Sequence, residues 1–232
     1  RERCSNRGQY RKLPVCTGWQ YRSIPGCLST LAYQRKPLAH WISLPVTSTH
    51  TLNSIASDGT GLRLHLHWEQ DRYHHHIDWV SGALVTRLLE SNETNSEESS
   101  LEHPVLQQVS VESRSLETEV ALAVGMSGQS HWSMSIETAP ESRALIFDVA
   151  CRLTTPFENI ASVYKLFAPA SLVDPGTCEV NVVGHTCRIE VDSSAKSENI
   201  RLQIEHPQME LTVEPLNPEV PQTVRWRYRI IG

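Results

Sequence analysis

Gly61-Leu-Arg-Leu-His-Leu-His-Trp-Glu-Gln-Asp-Arg-Tyr-His-His-His-Ile-Asp-Trp79 reads as a β-hairpin, because it alternates apolar and polar residues on both sides of the pair Gln70-Asp71. Placing that pair at the centre of a two-residue turn sets Glu69 opposite Arg72, Trp68 opposite Tyr73, and His67 opposite His74. Continuing outward, Leu66 meets His75, His65 meets His76, Leu64 meets Ile77, and Arg63 meets Asp78. One face then collects Leu62, Leu64, Leu66, Trp68, Tyr73, His75, Ile77 and Trp79. The other collects two opposite-charge pairs, Arg63/Asp78 and Glu69/Arg72, bracketing His65, His67, His74 and His76. A one-residue slip would mix the faces, so the pattern itself specifies the register.

The same period-two alternation recurs along the chain. Val105 to Val111, Val120 to Gly125, Trp132 to Glu137 and Ala144 to Leu153 read as strands between Ser, Gly and Pro breaks. Near the C-terminus Ile200, Leu202 and Ile204 alternate with polar residues, His206-Pro207 turns the chain, and Met209, Leu211 and Val213 resume the apolar face. Pairing 204 with 209 sets Leu202 against Leu211 and Ile200 against Val213. Val224, Trp226, Tyr228 and Ile230 close the series, interleaved with Arg225, Arg227 and Arg229. Strands with one wet and one dry face imply an antiparallel sheet protein. The expected fold is an antiparallel β-sandwich, with a β-barrel as the alternative and at most one or two short helices. The one helix expected starts at Thr155-Pro-Phe-Glu158 and carries Phe157, Ile160, Ala161, Tyr164, Phe167 and Ala168 at helical spacing; Ser162 to Phe167 reads equally as a strand.

The chain has 232 residues, 39% of them hydrophobic and 20% charged, which suits a packed domain rather than a disordered one. Charge is uneven. Residues 1–36 hold eight Lys/Arg against one acid, a segment of +7 in a chain whose net charge is −5, so the remaining 196 residues carry −12. This segment shows no strand or helix period. The expected organisation is a basic, poorly ordered stretch over 1–36 and one β-rich domain over 37–232. It has no apolar run that would make it a secretory signal, and no stretch approaches a membrane span. A cytoplasmic protein is the expectation, with no nucleic-acid partner, since the net charge is negative. Residues 90–102, rich in Glu, Ser and Asn, read as a solvated loop.

The six cysteines have no metal-ligand spacing. Cys178 and Cys187 sit on one face of a hairpin when Gly184-His185 is taken as the turn. Cys178 then opposes Val191 and Cys187 opposes Val182, so the expected state is two buried free thiols.

Three constellations carry candidate chemistry. The first is His65, His67, His74 and His76, as ligands for zinc or another transition metal. Opposed β-carbons lie ~4.5–5.5 Å apart, and imidazoles so spaced can converge on one ion with bonds of ~2.0–2.1 Å. Such a site would release its metal as the rings protonate. No carboxylate is evident in the sequence to orient the rings. The second is His131-Trp132, which at a hairpin end suits stacking on a sugar, although a core indole is the ordinary fate. The third is Arg225, Arg227 and Arg229, a stripe fit to grip an anion or to form a charged solvent face. Gly125-Met-Ser-Gly-Gln129 lacks the second glycine and following helix of a serine nucleophile elbow; Gly125 and Gly128 read as the turn between two strands.

The leading functional expectation is a non-catalytic binding or interaction module, for a small molecule or carbohydrate, on a rigid sheet face. The alternative is a histidine-ligated metal-binding protein or metal-dependent enzyme built on the 62–79 hairpin. A third reading, an isomerase- or lyase-like sugar enzyme using His and Glu, rests on fold analogy alone.

Overall fold

The computed structural model describes residues 48–92, 101–155, 159–192, 198–215 and 219–232. The basic segment 1–36 and most of the acidic loop 90–102 lie outside the described residues. Two antiparallel sheets make up the described chain. The first runs β1 (Thr49–Ile55), β2 (Thr60–Glu69), β3 (Arg72–Ser81), β4 (Leu84–Ser91), β10 (Asn159–Leu166), β15 (Gln208–Pro215) and β14 (Glu198–Glu205), and the short β5 (Leu101–Glu102) adds to β10 in parallel. The second runs β11 (Ala170–Asp174), β12 (Thr177–Val182), β13 (His185–Val191), β16 (Gln222–Ile231), β9 (Ala144–Leu153), β8 (Ser130–Ala139), β7 (Glu119–Ser127) and β6 (Gln108–Ser113). Their inner faces share one hydrophobic core, so the architecture is a β-sandwich. Among the described residues no helix is long and apolar enough to cross a membrane.

The core is built from the alternation. Leu62, Leu64, Leu66 and Ile77 have no exposed surface, and Trp79 only 2%. From the second sheet, Phe147 stacks on Tyr228 with ring centroids 4.8 Å apart, and Trp132 meets Trp226 edge-on at 6.1 Å. A buried polar chain crosses between the layers. His75 Nε2 lies 3.0 Å from the Tyr164 hydroxyl, which lies 2.5 Å from that of Tyr228. The Trp226 indole donates to Ser162 Oγ at 3.1 Å. Each partner therefore recovers in the core some of the hydrogen bonding lost from water.

The β2–β3 register is the one the alternation demands, from Glu69↔Arg72 through Arg63↔Asp78. The 204/209 hairpin also pairs as read, with Leu202↔Leu211 and Ile200↔Val213.

Four expectations are corrected. The segment expected to be helical is strand β10 over Asn159–Leu166, hydrogen-bonded to β15 and β4. Its positions 160–164 are all buried, so the run carries no wet face to distinguish a period of two from one of 3.6. Its Pro156, Phe157 and Glu158 start lies outside the described residues. The second correction concerns the 178–191 hairpin, which turns one residue earlier than expected, at Val183-Gly184, pairing Cys187 with Val180 and Cys178 with Ile189. Both turn residues have positive φ, 43° and 80°, a conformation that glycine at the second position favours. Both registers keep the same residues facing inward, so face patterning alone does not separate them. Third, Gly125 is not in a turn. It lies within β7 opposite Trp132, and a Cβ there would come 2.1 Å from the Val105 carbonyl oxygen. Fourth, Val105 and Leu106 precede the strand rather than begin it. They run between the layers: Tyr73 N donates to Leu106 O at 2.7 Å, and Gln107 N to Val124 O at 2.8 Å.

Among the described residues Cys151, Cys178 and Cys187 are buried, and no disulfide joins them. Burial pushes the Cys178 thiol up to about 11 and the Cys187 thiol up to about 12. Because the thiolate is the nucleophile, neither should react with iodoacetamide at pH 8 while the chain is folded. Mass spectrometry should find both alkylated only after denaturation, with no peptide linking them; labelling of the native protein would contradict the packing.

Candidate functional site

Positions 63, 65, 67 and 69 of β2 and positions 72, 74, 76 and 78 of β3 share the outward face of the first sheet, because the Leu and Ile positions between them face the core. The four histidines are thus neighbours. Ring centroids of His65 and His76 lie 4.7 Å apart, those of His67 and His76 5.6 Å, and those of His67 and His74 6.0 Å.

Asp78 completes the tightest part of this cluster. Its side chain is 8% exposed, and its Oδ2 stands 3.6 Å from His65 Nε2 and 3.8 Å from His76 Nε2. Among the described residues, His65, His76 and Asp78 form the group whose three donor atoms all lie within 4.8 Å of one another. His67 and His74 are outside that group; His67 Nε2 lies 3.6 Å from Glu69 Oε2. Two donors on one tetrahedral zinc stand about 3.4 Å apart, as bonds of ~2.1 Å require. The Asp78–histidine separations are close to that spacing, and longer than hydrogen bonds.

Supporting contacts hold these side chains in place. The Thr51 hydroxyl on β1 lies 3.1 Å from His65 Nδ1, which leaves Nε2 to face Asp78. Arg87 on β4 donates from Nε to Asp78 Oδ1 at 2.6 Å, taking up one carboxylate oxygen and leaving Oδ2 toward the rings. The Arg87 charge opposes a cation there, and Glu90, 3.3 Å from Arg87 Nη1, offsets it. Burial is the main reason the His76 imidazolium is disfavoured, with Arg87 adding to it, and its pKa falls to about 4. Burial likewise lowers His65 and His74. Neutral imidazoles at pH 7 carry the free lone pair that coordination needs.

Sequence reasoning missed Asp78 as a partner of the rings because the register sets it opposite Arg63. In the structure Arg63 donates to Asn53 Oδ1 instead, at 2.9 Å. The available signal was position: Asp78 follows His76 by two residues, on the same face.

The other candidates fall elsewhere. Trp132 is 2% exposed and packs on Trp226, so its ring is not a stacking platform, whereas His131 is exposed on the outer face of the second sheet. The arginine stripe of β16 lies between β13 and β9. Arg225 Nε donates to Asp148 Oδ1 at 2.7 Å, Arg229 Nε donates to Glu190 Oε2 at 2.7 Å, and Arg227 stands 3.8 Å from Asp192. Each guanidinium already faces a carboxylate, which is the charged-face reading of the stripe. Comparison with known proteins adds nothing to this geometry: no family model matches the chain, and neither does any curated protein.

Proposed function

We propose that this β-sandwich is a metal-binding protein that holds one transition-metal ion, zinc foremost, between His65, His76 and Asp78 on the outer face of the β2–β3 ribbon. The observation that supports this most is the convergence of Asp78 Oδ2 and two imidazole Nε2 atoms at 3.6 and 3.8 Å. Three donors meet there without hydrogen-bonding one another. Two imidazoles and a carboxylate suit zinc or ferrous iron, and three protein ligands leave a coordination position open to water. Thr51 behind His65 and Arg87 behind Asp78 are the kind of outer partners that fix ligand orientation.

Calorimetric titration of the chelator-stripped full chain with zinc tests the reading. One equivalent should bind, and a His65→Ala/His76→Ala variant should lose roughly 100-fold or more in affinity, beyond the 10–100-fold that outer partners alone contribute. A His67→Ala/His74→Ala variant, altered on the same face but outside the three-donor group, should keep most of it. Equal weak binding by all three proteins would leave the hairpin a structural element only.

A further inference from the structure

The outer face of the second sheet, far in sequence from the histidine ribbon, carries a depression of about 500 Å³. Its origin lies in side-chain size. Met126, His131, Arg152 and Thr223 stand side by side across β7, β8, β9 and β16, and Val124, Ser133, Ala150 and Arg225 form the next row. Ser133 and Ala150 are small, so the centre of that second row is low. Val124 and Met126 wall one side and remain 47% and 46% exposed. Ligand sites of this kind have volumes of roughly 300–1,000 Å³ and pair apolar walls with a few polar groups.

Arg152 sets the chemistry. The neighbouring Arg225, Arg227 and Arg229 each face a carboxylate. Among the described residues no acid lines the depression, and Arg152 shares it with exposed Val124 and Met126. A guanidinium in this setting favours a planar anion, since its fork matches a carboxylate with two parallel hydrogen bonds. Gln108, His131 and Thr223 line the same space and can supply further polar contacts. Trp132 lines it as well, and its indole N–H is buried with no acceptor. With that ring packed edge-on to Trp226, a sugar finds no aromatic face here.

We infer that this depression is a binding site for a small monocarboxylate with an apolar tail, the carboxylate on Arg152 and the tail between Val124 and Met126 over Ser133 and Ala150. The site is independent of the metal site, and it gives the binding-module expectation a different ligand class from carbohydrate.

The test uses the ¹⁵N-labelled full chain titrated with hexanoate, acetate and 1-hexanol. Hexanoate should saturably shift the amides of Val124, Ser133 and Ala150. Acetate lacks the tail and hexanol the charge, and each should bind about tenfold more weakly or worse. Arg152→Gln should lose a similar factor toward hexanoate while melting like the parent, because Arg152 is exposed and bridges no element. Ala150→Phe, which fills the floor, should abolish the shifts. Hexanoate shifts that do not saturate would overturn the inference, as would equal binding of hexanoate and hexanol or undiminished binding by Arg152→Gln.

Discussion

Metal-free protein should lose stability steeply below pH 6.5, and replacing His75 by Phe should remove about one proton's worth of that loss. His75 lies on the core face of β3, 4% exposed, against Tyr164 from β10, Phe147 from β9 and, through Tyr164, Tyr228 from β16. Burial is the largest reason its pKa falls to about 3, and its charged neighbours His74, His76 and His67 act in the same direction when protonated. His103, also lowered by burial, borders the same small void. A ring that stays neutral in the fold but takes a proton near 6.5 when unfolded makes the unfolded state the better proton binder across the interval. Its neutral form costs nothing above pH 6.5. Below that, stability falls by about 1.4 kcal/mol per pH unit until the folded pKa near 3 is reached. Urea titrations in chelator at pH 6 and pH 4 measure this directly. The parent should lose about 2.7 kcal/mol more than His75→Phe over those two units. The phenyl ring fits among the same aromatic neighbours, and Tyr164 keeps its contact with Tyr228. Parallel losses in the two proteins would mean that the His75 environment admits water or a compensating charge.

Zinc should raise the melting temperature of the parent and leave the His65→Ala/His76→Ala variant unmoved. A ligand bound only by the folded state stabilises by about 2.7 kcal/mol at 100 times its Kd. For a chain of this size that is a rise of roughly 5–10 °C, at roughly 2–4 °C per kcal/mol. The expected mechanism is local: the ion ties β2 to β3 through His65, His76 and Asp78, and the Asp78–Arg87 pair carries the tie to β4. Calorimetric scans with and without excess zinc decide it. An equal rise in the variant would move binding to other donors.

How much of this was legible in the sequence depended on whether a segment has a wet face. The 62–79 hairpin could be registered to the residue because a slip would bury histidines and expose leucines together. The same held for Ile204 opposite Met209 and for Val224 to Ile230. Strand β10 failed for the opposite reason. It sits between β4 and β15 with Ile160 through Tyr164 all buried, so its composition fits a core helix as well as a central strand. The Val183-Gly184 turn failed because moving the turn by one residue preserves the inward set Cys178, Val180, Val182, Cys187 and Ile189. The candidate site was half legible. Four histidines on one face followed from the register. The role of Asp78 did not, because its partner Arg87 lies on β4 beyond a register shift between Ile77 and Asp78, a feature no alternation announces. Nor did the depression on the second sheet, since its floor depends on Ser133 meeting Ala150 across two strands.

Anomalous diffraction from crystals of the zinc-loaded chain, recorded on either side of the zinc absorption edge, locates the bound ion. One strong peak is expected on the outer face of the β2–β3 ribbon, about 2.0–2.2 Å from His65 Nε2, His76 Nε2 and Asp78 Oδ2. A peak held by His67 and His74 instead, or none on that face, would contradict it.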